Sequence, residues 1–133
     1  MTRPSTTGDQ TIGNVAGTTD GGFVVTWAGA GSAEIFARKF DASGAPTSAE
    51  FIVNTETYST QIAPVVIGLA GGGYVVAWSS FNDETFTWDI RAQRYDATDT
   101  AVGGEFTVNT TTVDTQEFPA IAALTGGGFV VMW

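Results

Sequence analysis

Cysteine and histidine are absent from all 133 residues. Without them there are no disulfides, no thiolate nucleophile, no Cys/His zinc site and no Ser-His-Asp relay. Cations are scarce, with five Lys and Arg against 14 Asp and Glu, a net charge of −9. Five scattered cations form no basic patch, which argues against a nucleic acid or an anionic membrane as partner. No apolar run approaches the ~20 residues of a spanning helix, so no membrane span is expected. The opening stretch MTRPSTTGDQ lacks the apolar core of a secretory signal. No segment sustains a helical period of about 3.6 residues, so no helix is predicted.

What the chain does have is an internal echo. GGFVVTW at 21–27 returns as GGYVVAW at 72–78 and as GGFVVMW at 127–133, a period of 51 residues and then 55. Each echo has a Gln at a fixed distance upstream of its Trp: Gln10 before Trp27, Gln61 before Trp78, Gln116 before Trp133. Repetition at this length marks units that cannot bury an apolar face without a neighbour. With 43% hydrophobic residues there is enough apolar material for a core. The expected division is an N-terminal linker at 1–8, repeats at 9–59 and 60–114, and the first half of a third at 115–133.

Alignment of the copies predicts four strands per unit. The first covers Asn14 to Thr18, Val65 to Leu69 and Ala120 to Leu124, and the second is the Gly-Gly-aromatic-Val-Val-x-Trp segment. The third is EIFARKFD or DIRAQRYD, and the fourth EFIVN at 50–54 or EFTVN at 105–109. Turns rich in Gly, TDGG, AGGG and TGGG, join the first two strands as a hairpin. In the second strand Phe23, Val25 and Trp27 point one way and Val24 and Thr26 the other, so both faces are mostly apolar and both need cover. The first strand pairs a large apolar residue (Val15, Val66, Ile121) with a small one two positions on (Gly17, Gly68, Ala123), which suits sheets converging on an axis. The fourth strand alternates Phe106 and Val108 with Thr107, as an outer strand does. Together these features predict an all-β chain: a β-propeller-like array of four-stranded antiparallel blades, two complete and one half. A sandwich of repeated hairpins is the alternative.

Copy one is the less regular. Asn14 and Thr18 stand where copy two has Val65 and Leu69, and Gly13 stands where Pro64 and Pro119 fall. Copy two carries the longer loop after its Trp, SSFNDETFTW. That loop gathers Phe81, Asn82, Asp83, Glu84, Phe86, Trp88 and Asp89. Phe81, Asn82, Asp83, Trp88 and Asp89 are the candidate ligand-binding residues, with aromatics to stack on a sugar and carboxylates to help hold a cation; the alternative is a hairpin whose aromatics fold back onto the sheet.

The remaining motifs read as structural. Trp27, Trp78 and Trp133 are expected to pack unit against unit. Asn54 and Asn109 are expected to bond backbone groups where the fourth strand turns into the linker. Asn109-Thr110-Thr111 also fits the glycosylation sequon. Asp41 and Asp96 open equivalent turns with their side chains. No D-x-D-x-D-G loop is present, so no cofactor is expected, with Ca²⁺ on the acidic turns as the alternative. No spacing singles out a carboxylate pair for glycosidase chemistry, and no catalytic residue is expected.

The echoing segments resemble a repeat of about fifty residues found in tandem in very large secreted bacterial proteins, which often also carry RTX (hemolysin-type) nonapeptides or cadherin-like modules. Copy two matches that pattern through Ile90, Ala92, Gln93, Arg94, Tyr95, Asp96, Gly104, Glu105, Phe106, Val108, Asn109 and Thr110; copy one departs at Arg38, Lys39, Phe40, Ser48 and Ala49. The resemblance implies a non-catalytic, extracellular or cell-surface module of an adhesin-like protein, whose partners are further repeats of the same chain or other copies of it. The nonapeptide G-G-x-G-x-D is absent, so calcium does not follow from the resemblance. Two rival expectations are a glycan-binding lectin of the propeller kind and a calcium-stabilised module.

Overall fold

A computed structural model describes residues 10–29, 33–57 and 59–133, with side chains described from Gly13 onward. The expected linker at 1–8, the side chain of Gln10 and the middle of the first Trp-to-strand-three loop lie outside the described residues. The chain is all-β. A first sheet has the order β1 (Gln10–Gly17), β2 (Phe23–Gly29), β3 (Ile35–Phe40), β4 (Phe51–Ile52). A second repeats that order with β5 (Gln61–Gly68), β6 (Tyr74–Asn82), β7 (Thr87–Tyr95) and β8 (Ala101–Thr107). A third holds β9 (Ala120–Ala123) and β10 (Phe129–Met132). All pairings are antiparallel.

The strands begin and end differently from the sequence reading in three places. One is the segment after the Trp, where β2 runs on to Gly29, β6 runs on to Asn82 and β7 starts at Thr87 rather than leaving a long loop. β1 and β5 start at Gln10 and Gln61, earlier than expected, because a bulge lets pairing continue past the apolar core of the strand. In the second sheet Ile62 pairs with Ser79 and Val65 with Ala77, so Ala63 and Pro64 together face Trp78. A bulge needs one residue off the regular ladder, and Ala63 is there at φ 52°. Pro64 has no N–H to lose at such a site. β1 shows the same shift between Thr11 and Asn14. The fourth strand is shortened to Phe51–Ile52 in the first sheet and moved earlier, to Ala101–Thr107, in the second.

The Gly-Gly motif closes three like hairpins. Leu69 N–H donates to Gly73 O and Gly72 N–H to Leu69 O, with the same pair of bonds at Thr18/Gly22/Gly21 and Leu124/Gly128/Gly127. At Gly73 (φ 79°) a Cβ would collide with the Tyr95 carbonyl oxygen, so the position tolerates no side chain.

The sheets stack through matching faces. Ala16, Val24, Ala28, Ile35 and Ala37 of the first sheet meet Val66, Tyr74, Val76, Trp78 and Tyr95 of the second in one cluster. On the opposite face of the second sheet Val75, Ala77 and Ala92 form another cluster, with Ile121, Phe129 and Val131 of the third sheet packed on it. The second sheet is therefore covered on both sides, and β6 is buried from Tyr74 to Ser80. Each sheet turns its aromatic-Val-Trp face toward the sheet before it and its Val-Ala face toward the one after. β5 lies against both β1 and β9, and at Gly68 a Cβ would overlap the carbonyl oxygen of Gly17. That approach fixes the small residues of the first strands at the point where the sheets converge. Closure into a ring is not part of the architecture formed by the described residues.

Candidate functional site

Two regions hold the residues singled out from the sequence: the long β6–β7 hairpin and the seams between sheets. In the hairpin, Phe81 and Trp88 are cross-strand partners, and their rings meet edge to face at 5.2 Å. Such a contact adds order-of-magnitude stability of ~1 kcal/mol beyond burial. The Asn82 side chain closes the turn, its Oδ1 accepting from Glu84 N at 3.0 Å, while Phe86 N donates to Asn82 O at 2.8 Å. Asp83 Oδ2 accepts from Ser59 Oγ at 2.7 Å and ties the hairpin to the linker before β5. Asp89 is buried, its Oδ1 accepting from Asn109 Nδ2 at 2.8 Å. The structure thus brings Phe81 and Trp88 together and gives Asn82, Asp83 and Asp89 each a separate protein partner. The aromatic turned to solvent is Phe86, 78% exposed at φ 57°. Among the described residues there is no group of three or more Asp or Glu placed to share a metal ion.

In the seams, the repeated Gln and Trp form a clasp. Trp78 Nε1 donates to Gln61 Oε1 at 2.7 Å, and Gln61 Nε2 donates on to Ser59 O at 3.2 Å. Trp133 Nε1 donates to Gln116 Oε1 at 2.8 Å. A buried indole N–H needs an acceptor, and a Gln at the head of the neighbouring strand supplies it while pinning the linker. Trp27 Nε1 is buried and has no partner among the described residues. Its ring stacks on Phe36 at 6.0 Å.

The repeated Asn locks the exit of each four-stranded sheet. Asn54 Oδ1 accepts from Ile35 N and Asn109 Oδ1 from Ile90 N, both at 2.7 Å and both buried. The amide nitrogens donate onward to Glu56 O at 2.7 Å and Thr111 O at 2.9 Å. A short amide side chain with both a donor and an acceptor can bridge two backbone segments in this way.

A third device escaped the sequence reading. Glu105 has its side chain almost wholly buried between sheets: Oε1 pairs with Arg91 Nε at 2.7 Å, and Oε2 accepts from Thr55 N at 2.6 Å and Thr55 Oγ1 at 2.8 Å. The signal was available, since Glu stands before the fourth-strand Phe in both copies. Lys39 adds a second tie, reaching Asp20 Oδ2 at 3.0 Å in its own sheet and Ala97 O at 3.2 Å in the next.

Exposed turns set the remaining electrostatics. Hydrogen bonds from Thr18, then Lys39 and Gly22, hold the Asp20 carboxyl down at about 2. Ser43 and Ala45 lower Asp41, and Thr98 and Thr100 lower Asp96, through turns of the same design. Burial raises the Tyr74 hydroxyl, helped by its 2.9 Å bond to Asp99, and pushes Tyr95 up to about 12. Where the first strands of the three sheets end, segments 17–19, 68–70 and 123–125 line an open cavity of about 400 Å³ with no charged side chain. These arrangements brace sheets against one another. No helix among the described residues is long and apolar enough to cross a membrane. No protein-family model, curated protein or solved structure matches the chain.

Proposed function

We propose that the chain is a non-catalytic structural module whose four-stranded units stack as the blades of a β-propeller-like array, in a large adhesin-like protein acting outside the cell. The supporting observation is the state of equivalent residues in successive units. Val66 is 3% exposed where a preceding sheet covers it, and its counterpart Val15 is 61% exposed on the face turned away from the second sheet. At the other end Val130 and Met132 are 51% and 68% exposed where Val75 and Ala77 are fully buried. Units that bury their faces only against like units make arrays. The buried side chains of Gln61, Asn54, Asn109 and Glu105 are occupied in bracing those units. The extracellular setting rests on the resemblance of the repeat to secreted bacterial arrays.

Native-state hydrogen exchange tests the reading. Amides of β6 and β7 are expected to be the slowest, those of β2 and β3 intermediate, and those of β9 and β10 the fastest. Uniform protection across the three sheets would remove the stacked-unit reading. A lectin function has one observation in its favour, the exposed Phe86 beside the Phe81–Trp88 pair. If it holds, a glycan array gives hits that Phe86→Ala abolishes, whereas the structural reading expects none. A calcium-stabilised module would lose melting temperature in chelator, and the structural reading expects no change.

A further inference from the structure

We infer that the outward face of the first sheet is a docking surface for one more four-stranded unit of the same kind, and that Glu50 is the acceptor that receives the Asn-Thr exit of that unit. The inference rests on the stacked-unit reading and specifies its recognition chemistry. Glu50 and Glu105 hold the same place, directly before Phe51 and Phe106 at the fourth strand. Glu105 turns toward the first sheet, where its Oε2 takes both the N–H and the hydroxyl of Thr55, the residue after the exit Asn54. Glu50 alternates away from the second sheet, because its neighbour Phe51 points inward onto Tyr95 at 5.5 Å. Its Oε2 is buried and has no hydrogen-bond partner among the described residues. A buried carboxylate oxygen without a donor is costly, so such an atom points to a missing partner.

The surroundings identify that partner. Val15, Val25 and Ile52 share the outward face with Trp27 and Phe36, by the pairings Val15↔Val25, Trp27↔Phe36 and Phe36↔Ile52. Val15 and Ile52 are more than 40% exposed. The matching face of the second sheet, with Val66, Val76 and Trp78, is filled by a sheet of small apolar residues whose exit turn delivers the Thr55 donors. A unit presenting a Val-Ala face and an exit Asn-Thr therefore meets both the apolar and the polar demand. Copy one has Phe36 where copy two has Arg91, so Glu50 lacks the cation that shares Glu105. Arg38, opposite Glu50 when the Phe36↔Ile52 and Ala37↔Phe51 register is continued, turns its Nε to Ser48 O at 3.0 Å, so the incoming Thr supplies the donors that Glu50 Oε2 lacks.

The test is a chain in which residues 60–114 replace residues 1–8, which reproduces before Gln10 the spacing that separates Thr110 from Gln116. In the full chain Glu50→Ala is expected to leave the melting temperature unchanged or raise it, while Glu105→Ala lowers it by roughly 4 °C. In the extended chain Glu50→Ala is expected to lower it by a similar amount, and Val15→Ala, silent in the full chain, to become costly. If Val15→Ala becomes costly and Glu50→Ala stays silent, the Glu50 assignment is overturned and the stacking survives. If both stay silent, the stacked-unit reading fails with it. A concentration-dependent dimer of the full chain that protects Val15 would instead assign the face to the exposed third sheet of a second copy.

Discussion

The first and second sheets are built on matching sequence with the same strand order and the same bulge, yet they differ in how well they are buried. Tyr74, Val76 and Trp78 are sealed between sheets, while of their counterparts Phe23 and Val25 are only half-buried and Trp27 alone is buried, at 8% exposed. The local sequence therefore dictates the strand and its faces, but burial comes from the neighbour. A residue's worth in such a chain depends on its unit's place in the stack as much as on its own chemistry.

The sharpest way to break the comparison is at the repeated indole. Trp78→Ala removes a fully buried ring and strands the Gln61 carboxamide, and should cost roughly 3–5 kcal/mol. Trp27→Ala removes a ring that is 8% exposed and stacked on Phe36 but has no second sheet packed over it among the described residues, and should cost less, on the order of 2–3 kcal/mol. Urea unfolding of the two variants measures the difference, and equal losses would mean that the first sheet is as well covered as the second.

Glycine sharpens it from the backbone side. At Gly68 a Cβ would overlap the Gly17 carbonyl oxygen, whereas at Gly17 the nearest atom to a Cβ is 4.0 Å away. Gly68→Ala should push the first strands of adjacent sheets apart and cost about 1–3 kcal/mol. Gly17→Ala should stay within about 0.5 kcal/mol. Thermal melts of both variants decide, and a benign Gly68→Ala would show that the sheets do not converge so closely. Next in size is the valine pair. Val66→Ala deletes buried methyl groups worth roughly 1.5–2 kcal/mol, and Val15→Ala, mostly in water, should be near silent in the same melts.

These contrasts also mark what could be read from the sequence. Faces were legible because alternation in GGFVVTW and its echoes left no polar side, which demanded cover on both. The convergence of first strands was legible in the small residues Gly17, Gly68 and Ala123. The early start of β1 and β5 was not, because a bulge at Ala63–Pro64 interrupts the alternation by which strands are recognised. The Glu105 clasp was hidden for a different reason: its partners Arg91 and Thr55 lie 14 and 50 positions away, the first brought in by pairing of β7 with β8 and the second only by stacking of the sheets. In the hairpin, the gathering of Phe81, Asn82, Asp83, Trp88 and Asp89 followed from chain proximity. The hydrogen-bond partners of Asp83 and Asp89, Ser59 and Asn109, belong to the linkers and could not be seen locally.

The smallest contrast is electrostatic. Asp20 of the first sheet has Gly71 as its counterpart in the second, so only the first hairpin carries the Thr18–Asp20–Lys39 cluster. The folded pKa of Asp20 is depressed from 3.8 to about 2. A depressed carboxyl contributes stability above its unfolded value and loses it as the pH falls from there through the folded one. Asp41 and Asp96 are lowered in the same direction by equivalent turns and behave alike in both sheets. Acid should therefore weaken the first sheet more than the second, and Asp20→Asn should flatten part of the fall between about pH 4 and about pH 2. All three carboxyls are solvent-exposed, so the effect is modest and shrinks with added salt. Urea midpoints at those two pH values, in low and high salt, measure it. An Asp20→Asn variant whose midpoint falls with acid as steeply as the parent's would mean that the Asp20 carboxylate, with its Thr18 and Lys39 bonds, contributes nothing to the stability of the first sheet.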